Sequence, residues 1–302
     1  MTALFIITLL TAAEFCAEAV YKRSAAYRAS LGGADALRRV PDGIDICNVG
    51  SGPGLYAISY ENCPRKGMNF STAPQNFRYG FRILKRFQKK IRKNAIIVIV
   101  IMCPLSFGNN LDYFRPDYSD KFYGILRPEE IDGYSFRRAV LLHFPLLRRA
   151  FGAIRRRLFP AAAPETHSQE PPIITVWKRE FCLKDLRNPA QAAEHQDAFN
   201  EKINLLREEV AFCHERQWRP VLVTPPVSEN TRRFISPEFS RAFVFDNLDA
   251  LRKNYPEVPL LNYYDDSRFD NSMFLNDVFL NREGQTRFSE ILFADIDKWE
   301  EE

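Results

Sequence analysis

Four histidines are the side chains of this 302-residue chain that could act as a base near neutral pH. A base matters because a serine hydroxyl, such as that of Ser51 in a glycine-rich turn, is a poor nucleophile until a neighbouring histidine takes its proton. We interpret the four as ordinary surface or partly buried residues, and the alternative is that one of them serves as this base. They are His143, His167, His195 and His214.

Carboxylates near the end of the chain offer a second kind of chemistry. Asp277 could act as a general acid or base only with a raised pKa, and we favour a role in the turn before the last helix, which Asn281 also helps to hold. The cluster Asp265, Asp266 and Asp270 has ligand oxygens for a divalent cation but lacks a known loop spacing, so a solvated turn is favoured. The six cysteines show no metal-like spacing and predict buried free thiols. We predict no metal and no organic cofactor.

Alternating apolar strands and amphipathic helices indicate how these residues are positioned. The run Ile96 to Ile101 has no polar alternation, which is typical of a strand that is covered on both faces. The predicted fold class is α/β, with a doubly wound, flavodoxin-like, mostly parallel sheet between two helical layers. In such a sheet, sites gather at the carboxyl ends of the strands. The predicted strands are 44–49, 95–102, 219–224 and 258–262, and the predicted helices are 77–93, 197–217, 239–254 and 284–299.

Two segments fall outside this alternation. Residues 1–23 begin with an apolar stretch that predicts either a short membrane anchor or a buried first helix. Residues 115–196 form an insertion in the α/β domain, which covers about 40–298. Within the insertion, 136–159 is apolar and arginine-rich, as in a membrane-surface helix or a helical cap over the sheet, and Pro145 should kink or break it.

Positive charge is concentrated in two runs that contain no acidic residue, although the formal net charge is only +4. No helix-turn-helix, zinc or aromatic RNA-binding signature accompanies these runs, so nucleic acid is not a predicted partner. A membrane surface or an acidic glycan suits them equally well. The runs lie within 85–93 and 137–157.

Four blocks of the sequence, in this order, resemble those of SGNH/GDSL hydrolases. The turn at 48–57 resembles the nucleophile block, and the loop at 104–110, which contains Gly-Asn-Asn, resembles the Gly-x-Asn-Asp block. The strand and exit loop at 221–227 resemble the segment that precedes the final block, and 274–284 resembles the closing Asp-x-x-His-Leu-Asn signature. The chain looks most like the membrane-anchored SGNH-like proteins of bacterial envelope and capsule polysaccharide loci.

The resemblance implies that the catalytic positions are degenerate. In this register Gly52 stands at the nucleophile position, with Ser51 directly before it. Phe279 stands where the catalytic histidine is expected, and Asn276 stands where the aspartate is expected. A phenylalanine cannot accept a proton, so the resemblance implies the fold more strongly than the hydrolysis.

The resemblance therefore implies a membrane-associated protein of the cell envelope that binds a glycan or an acylated small molecule, or supports its modification, without hydrolysing it. One alternative is an active esterase or O-acetyltransferase that uses Ser51, with Asp277 as a carboxylate in the site. Another is a membrane-surface structural protein that contacts lipid through 1–23 and 136–159. The oxyanion and substrate contacts implied by the resemblance are Gly52, Asn109, Asn110 and Asn281.

Overall fold

A single sheet of five parallel strands forms the centre of the computed structural model, which describes residues 2–102, 105–109, 116–158 and 172–301. The strand order is β2-β1-β3-β4-β5, with every neighbouring pair parallel. This confirms the predicted α/β fold with a parallel, flavodoxin-like sheet. The strands are β1 (Ile44–Val49), β2 (Gly67–Asn69), β3 (Ile91–Val100), β4 (Arg219–Thr224) and β5 (Leu260–Asn262).

Successive residues of the central strand β3 pack on opposite faces of the sheet. Ile97 and Ile99 belong to one hydrophobic core, whereas Ile96 and Val98 belong to the other. All four are buried, which explains the continuous apolar run in the sequence. The first core is covered by α4 (Phe77–Phe87), α9 (Gln196–Glu215) and α12 (Asp246–Arg252), and the second by α3 (Gly52–Ala57) and α13 (Arg282–Glu301).

Several predicted boundaries were wrong by a few residues. The basic helix ends at Phe87, and the following strand begins at Ile91 instead of Ala95. The early start of β3 arises because Ile91 pairs with Ile44 ahead of a register shift, at which Asn94 has a φ of 61°. The edge strand β2 was missed because three half-buried residues carry no periodic signal. The predicted helix at 239–254 is divided into α11 (Pro237–Ser240), a π-helical turn (Arg241–Phe245) and α12.

The insertion between β3 and α9 is helical. Pro145 divides the apolar, arginine-rich segment as predicted, because a proline cannot continue a helix but fits its first turn. The helices of the insertion are α5 (Pro116–Ser119), α6 (Phe136–Leu142), α7 (Pro145–Leu158) and α8 (Pro172–Glu180).

The first helix, α1 (Thr2–Arg23), packs against α7 and precedes the short α2 (Ala25–Ser30). The two carboxylate oxygens of Glu18 accept the backbone N–H groups of Leu146 and Leu147 at 3.0 and 2.9 Å. The rings of Phe15 and Phe144 are in contact beside them, with centroids 5.5 Å apart. Of the helices in the described ranges, none combines the length and the apolar character needed to cross a membrane. A further short helix, α10, covers Glu229–Arg232.

Candidate functional site

A cavity of about 440 Å³ lies at the carboxyl edge of the sheet. Ser51 and Gly52 line it from the turn after β1, and Met102 and Ser106 line it from the segment after β3. Phe279, from the loop before α13, also lines it. Three of the segments that resemble the SGNH blocks therefore meet at one cavity, although they are far apart in sequence.

The walls of this cavity are mostly apolar and come from three layers of the fold. Val49 and Ile99 form its floor on the sheet, and Phe77 of α4 forms one side. The insertion closes the other side with Phe122 and Trp177, both of which are buried. The insertion is thus a wall of the candidate site.

Ser51 has no base beside it in the described part of the chain. Its hydroxyl oxygen accepts the backbone N–H of Gln75 at 3.1 Å. Ser51 also precedes the first residue of α3, but its side chain makes no capping hydrogen bond there. The hydroxyl is thus held by a donor, and a donor cannot remove its proton.

The described histidines are engaged elsewhere. His195 is 1% exposed, and its Nδ1 accepts the backbone N–H of Asn109 at 2.8 Å, which places the ring proton on Nε2. Burial lowers the pKa of His195, so the neutral ring is favoured. This histidine therefore holds the loop after β3. His143 contacts the carbonyl oxygen of Ala139, His214 lies 3.6 Å from the carboxylate of Glu257, and His167 lies outside the described residues.

Gly52 and Phe279 are in direct contact. A Cβ atom at position 52 would lie 2.7 Å from Cζ of Phe279, closer than real Cβ contacts come. The phenylalanine ring is stacked on Tyr56, with centroids 4.8 Å apart and planes 23° apart. The two positions at which the resemblance expects a nucleophile and a base are thus adjacent, and an aromatic ring fills the space between them.

Asp277 and Asn281 hold the loop before α13 and do not line the cavity. One carboxylate oxygen of Asp277 accepts from the amide of Asn230 at 3.3 Å and from the hydroxyl of Ser228 at 3.4 Å. Asn281 accepts the backbone N–H of Gly284 at 3.0 Å and donates to a backbone carbonyl at 2.7 Å, as expected of a residue that holds this turn. Their roles in catalysis or substrate binding stay predictions.

Of the two asparagines that were predicted to bind the oxyanion, only Asn109 lies among the described residues. Asn109 is described, and its side-chain amide points to the carbonyl of Glu194 at 3.4 Å, so it does not line the cavity. Asn110 lies outside the described residues. The oxyanion role of both stays a prediction.

Two polar residues whose side chains contain a buried atom also line the cavity, and sequence reasoning missed both. Glu209 of α9 is 1% exposed, and its Oε1 has no hydrogen-bond partner in the described structure. Burial raises the pKa of this carboxyl to about 8, against the opposing effect of Lys85. Gln75 contributes an Nε2 that likewise lacks a partner among the described residues. A signal for Glu209 existed, since it interrupts the apolar stripe of its helix between Leu206 and Cys213.

A third buried polar residue, Lys202, lies two turns before Glu209 on the same helix and also lines the cavity. Its ammonium donates to the carbonyl of Gly108. Burial lowers the pKa of Lys202 to about 8. Lys202 therefore binds the loop after β3 at Gly108, next to Asn109, whose backbone N–H is bound by His195.

The predicted alternative of a cation at the acidic cluster finds no support in the geometry. Asp266 is paired with Arg268, and Asp270 accepts from the backbone N–H of Ser272 at 2.8 Å. Within the described ranges, no three His, Cys, Asp or Glu side chains are grouped as metal ligands. The prediction of buried free thiols is confirmed at Cys47 and Cys213 and was wrong at Cys16 and Cys182, which are exposed. Cys63 is half-buried, and Cys103 lies outside the described residues.

No protein-family model matches this sequence, and no curated protein matches it.

Proposed function

We propose that this chain is an SGNH-like protein of the bacterial cell envelope that binds an acylated envelope component, such as an acylated polysaccharide, without hydrolysing it. The observation that carries the proposal is the contact of Phe279 with Gly52 inside a cavity built from the SGNH-like segments. Hydrolysis by the triad mechanism needs a nucleophile and a base in mutual contact. Here the corresponding side chains are a hydrogen atom and a phenyl ring.

The alternative function, an esterase or O-acetyltransferase that uses Ser51, requires a base beside this serine. Ser51 lines the cavity, but its oxygen accepts from a backbone N–H and contacts no described imidazole. An active enzyme of this kind needs a base from another residue, and Asp277 is directed to Asn230 and Ser228.

A second candidate function, attachment to a membrane surface, is favoured by a specific group of exposed side chains. The helices α1 and α6 both contact α7, and the three helices expose large apolar residues together with arginines, a combination suited to an anionic lipid surface. We call this group the α1–α7 surface. Its apolar members are Ile6, Leu9, Phe15, Val20, Phe136, Val140, Leu141 and Leu147, and its exposed arginines are Arg137, Arg148, Arg149 and Arg157.

An ester-hydrolysis assay tests the main proposal. The purified chain and its Ser51→Ala variant are compared on aryl esters of acetate and of longer acids, and on acetylated glycans. We expect the same background rate for both proteins, because no base activates the hydroxyl. Turnover by the wild type that Ser51→Ala abolishes, with unchanged thermal unfolding, would show that the protein is an active hydrolase and would overturn the proposal.

A further inference from the structure

We propose that the cavity binds a long acyl chain that carries an oxygen substituent along its length, with the chain against the apolar walls and the oxygen at Glu209. This inference rests on the proposed function, because it takes the cavity as the binding site and names the part of the ligand that enters it. It assigns the substrate class as an oxygen-substituted fatty acyl group and not a sugar.

The composition of the walls favours a hydrocarbon chain over a glycan. A sugar ring presents hydroxyl groups on all sides, and burying a hydroxyl without a hydrogen-bond partner is unfavourable. Most of the cavity surface is apolar, and Val, Ile, Phe and Trp side chains contribute to it from the sheet, α4 and the insertion. Small-molecule sites of this kind have volumes of roughly 300–1,000 Å³ and a few placed polar groups, and the cavity of about 440 Å³ fits that description.

Glu209 provides the polar group deep in this cavity. The side chain is buried, yet Oε1 has no partner in the described structure, and a buried carboxyl without a partner is costly. Since burial raises its pKa to about 8, the carboxyl is mostly protonated at neutral pH and can donate to an oxygen on a ligand. A ligand oxygen there would remove the cost.

The depth of Glu209 explains why the oxygen must lie along the chain and not at its head. Lys202 of α9 donates to the carbonyl of Gly108 in the loop after β3, and Glu209 lies seven residues further along the same helix, which is roughly 10 Å at ~1.5 Å per residue. Glu209 therefore lies deeper than the loop at the carboxyl edge of the sheet. The unpartnered amide nitrogen of Gln75 lies beside Gly80 near the start of α4, and it can donate to the carbonyl oxygen of the head group.

Calorimetric titration of the 302-residue chain with defined monoacylglycerols tests the inference. The probes are hexadecanoylglycerol, a positional series of its hydroxylated analogues, acetylglycerol and a neutral oligosaccharide. We expect the long chains to bind, and at least one hydroxylated analogue to bind about tenfold more tightly than the plain chain, as one buried hydrogen bond of about 1.4 kcal/mol would provide. We expect no binding of acetylglycerol or the oligosaccharide in this cavity.

Two substitutions of Glu209 distinguish the effect of its hydrogen bond to the ligand from the effect of packing in the cavity. Glu209→Gln keeps a donor and should keep the preference for the hydroxylated chain. Glu209→Leu removes the donor and should abolish that preference while the plain chain still binds, which also shows that the cavity is intact. Equal binding of all long chains by the wild type would overturn the role of Glu209, and binding of the oligosaccharide alone would overturn the acyl assignment. Both outcomes are distinct from Ser51-dependent ester turnover, which would overturn the proposed function instead.

Discussion

At the scale of single residues, the contact between Gly52 and Phe279 decides what chemistry the candidate site can perform. Any side chain at position 52 would meet the phenyl ring, which is itself fixed against Tyr56. The residues at these two positions are therefore sterically coupled, since a phenylalanine at 279 leaves room only for glycine at 52.

We expect Gly52→Ala to lower the free energy of unfolding by about 1–3 kcal/mol, the usual cost of overpacking a buried contact. Phe279→Ala should also destabilise the protein, but the double variant should cost less than the sum of the two, because the new methyl group occupies space that the ring has left. Urea unfolding of the four proteins measures this coupling. Gly80→Ala in α4 is the matched control, because a Cβ atom at position 80 would lie 3.3 and 3.6 Å from its two nearest atoms. We expect this substitution to raise the free energy of unfolding by at most about 1 kcal/mol. Additive effects at positions 52 and 279 would contradict the contact.

Glu209 should make the stability of the protein depend on pH in a defined direction. Its pKa is raised from 4.5 to about 8 by burial, so the folded state holds a proton that the unfolded state releases across this range. The stabilisation is therefore complete below about pH 4.5 and is lost as the pH rises to about 8, with a limiting slope of ~1.4 kcal/mol per pH unit. Glu209→Gln should remove this loss, so that its stability relative to the wild type increases between pH 5 and 8 and then stays level.

Urea unfolding of wild type and variant at pH values from 5 to 9 measures that difference. Taking the difference matters because Lys121 and Lys202, whose pKa values burial lowers to about 7 and about 8, add stability with rising pH in both proteins. Glu208→Gln is the matched control for the substitution, because Glu208 is the exposed neighbour on the same helix. A flat difference for Glu209→Gln would show that Glu209 is ionised in the folded protein.

At the scale of elements, the central strands of the sheet and the long helices that cover it were predictable. Their apolar residues form continuous or periodic patterns in the sequence. The bounds of β1 and β4 agree with the prediction, and α9 and α13 differ from it by at most two residues at each end. The end of α4 and the start of β3 were not predictable, because a tertiary pairing with β1 fixes them. The contribution of the insertion to the cavity wall was not predictable either. Nothing in the sequence positions of Trp177 and Phe122 indicates that they lie near the turn at Ser51.

The packing of α1 against α7 includes a contact from one acidic residue of the first helix. Glu18 binds two backbone N–H groups in the first turn of α7, where unpaired donors and the helix dipole favour a negative charge. Glu18 is 2% exposed, so water does not replace these bonds readily. An acidic residue in an apolar helix is thus explained as a cap for a helix far away in the sequence.

We expect Glu18→Ala to loosen this pair of helices by about 2 kcal/mol, the scale of a lost charge-assisted hydrogen bond. Hydrogen exchange measures the effect, and the amides of Leu146 and Leu147 should exchange about 30-fold faster at ~1.4 kcal/mol per tenfold. The amides of α9 serve as the internal control and should be unchanged. Glu18→Gln, which keeps one acceptor, should give an intermediate rate, and slow exchange in Glu18→Ala would contradict the capping role.

At the scale of the whole molecule, the insertion contributes both to the candidate site and to the α1–α7 surface. The insertion contributes Trp177 and Phe122 to the cavity, and its helices α6 and α7 carry much of the exposed apolar area. A ligand with a long acyl chain resides in a membrane before it is bound, because hydrocarbon leaves water for the bilayer. A protein that takes up such a chain gains from resting on the lipid surface, so the two proposals support each other.

The α1–α7 surface should bind vesicles that contain anionic lipid. We expect the wild type to sediment with such vesicles at low salt and to be released as the salt concentration rises, because the arginines contribute a screened attraction of about 1 kcal/mol each near the surface. Replacing Phe136 and Leu141, which are 76% and 52% exposed, by aspartate should weaken binding at least tenfold, since each loses about 1.5 kcal/mol or more of apolar burial.

Leu275→Asp is the matched control, because Leu275 is 63% exposed but lies in the loop before α13. Equal binding by all three proteins would place the lipid contact elsewhere, whereas loss of binding in the double variant alone, with unchanged thermal unfolding, would assign it to this surface.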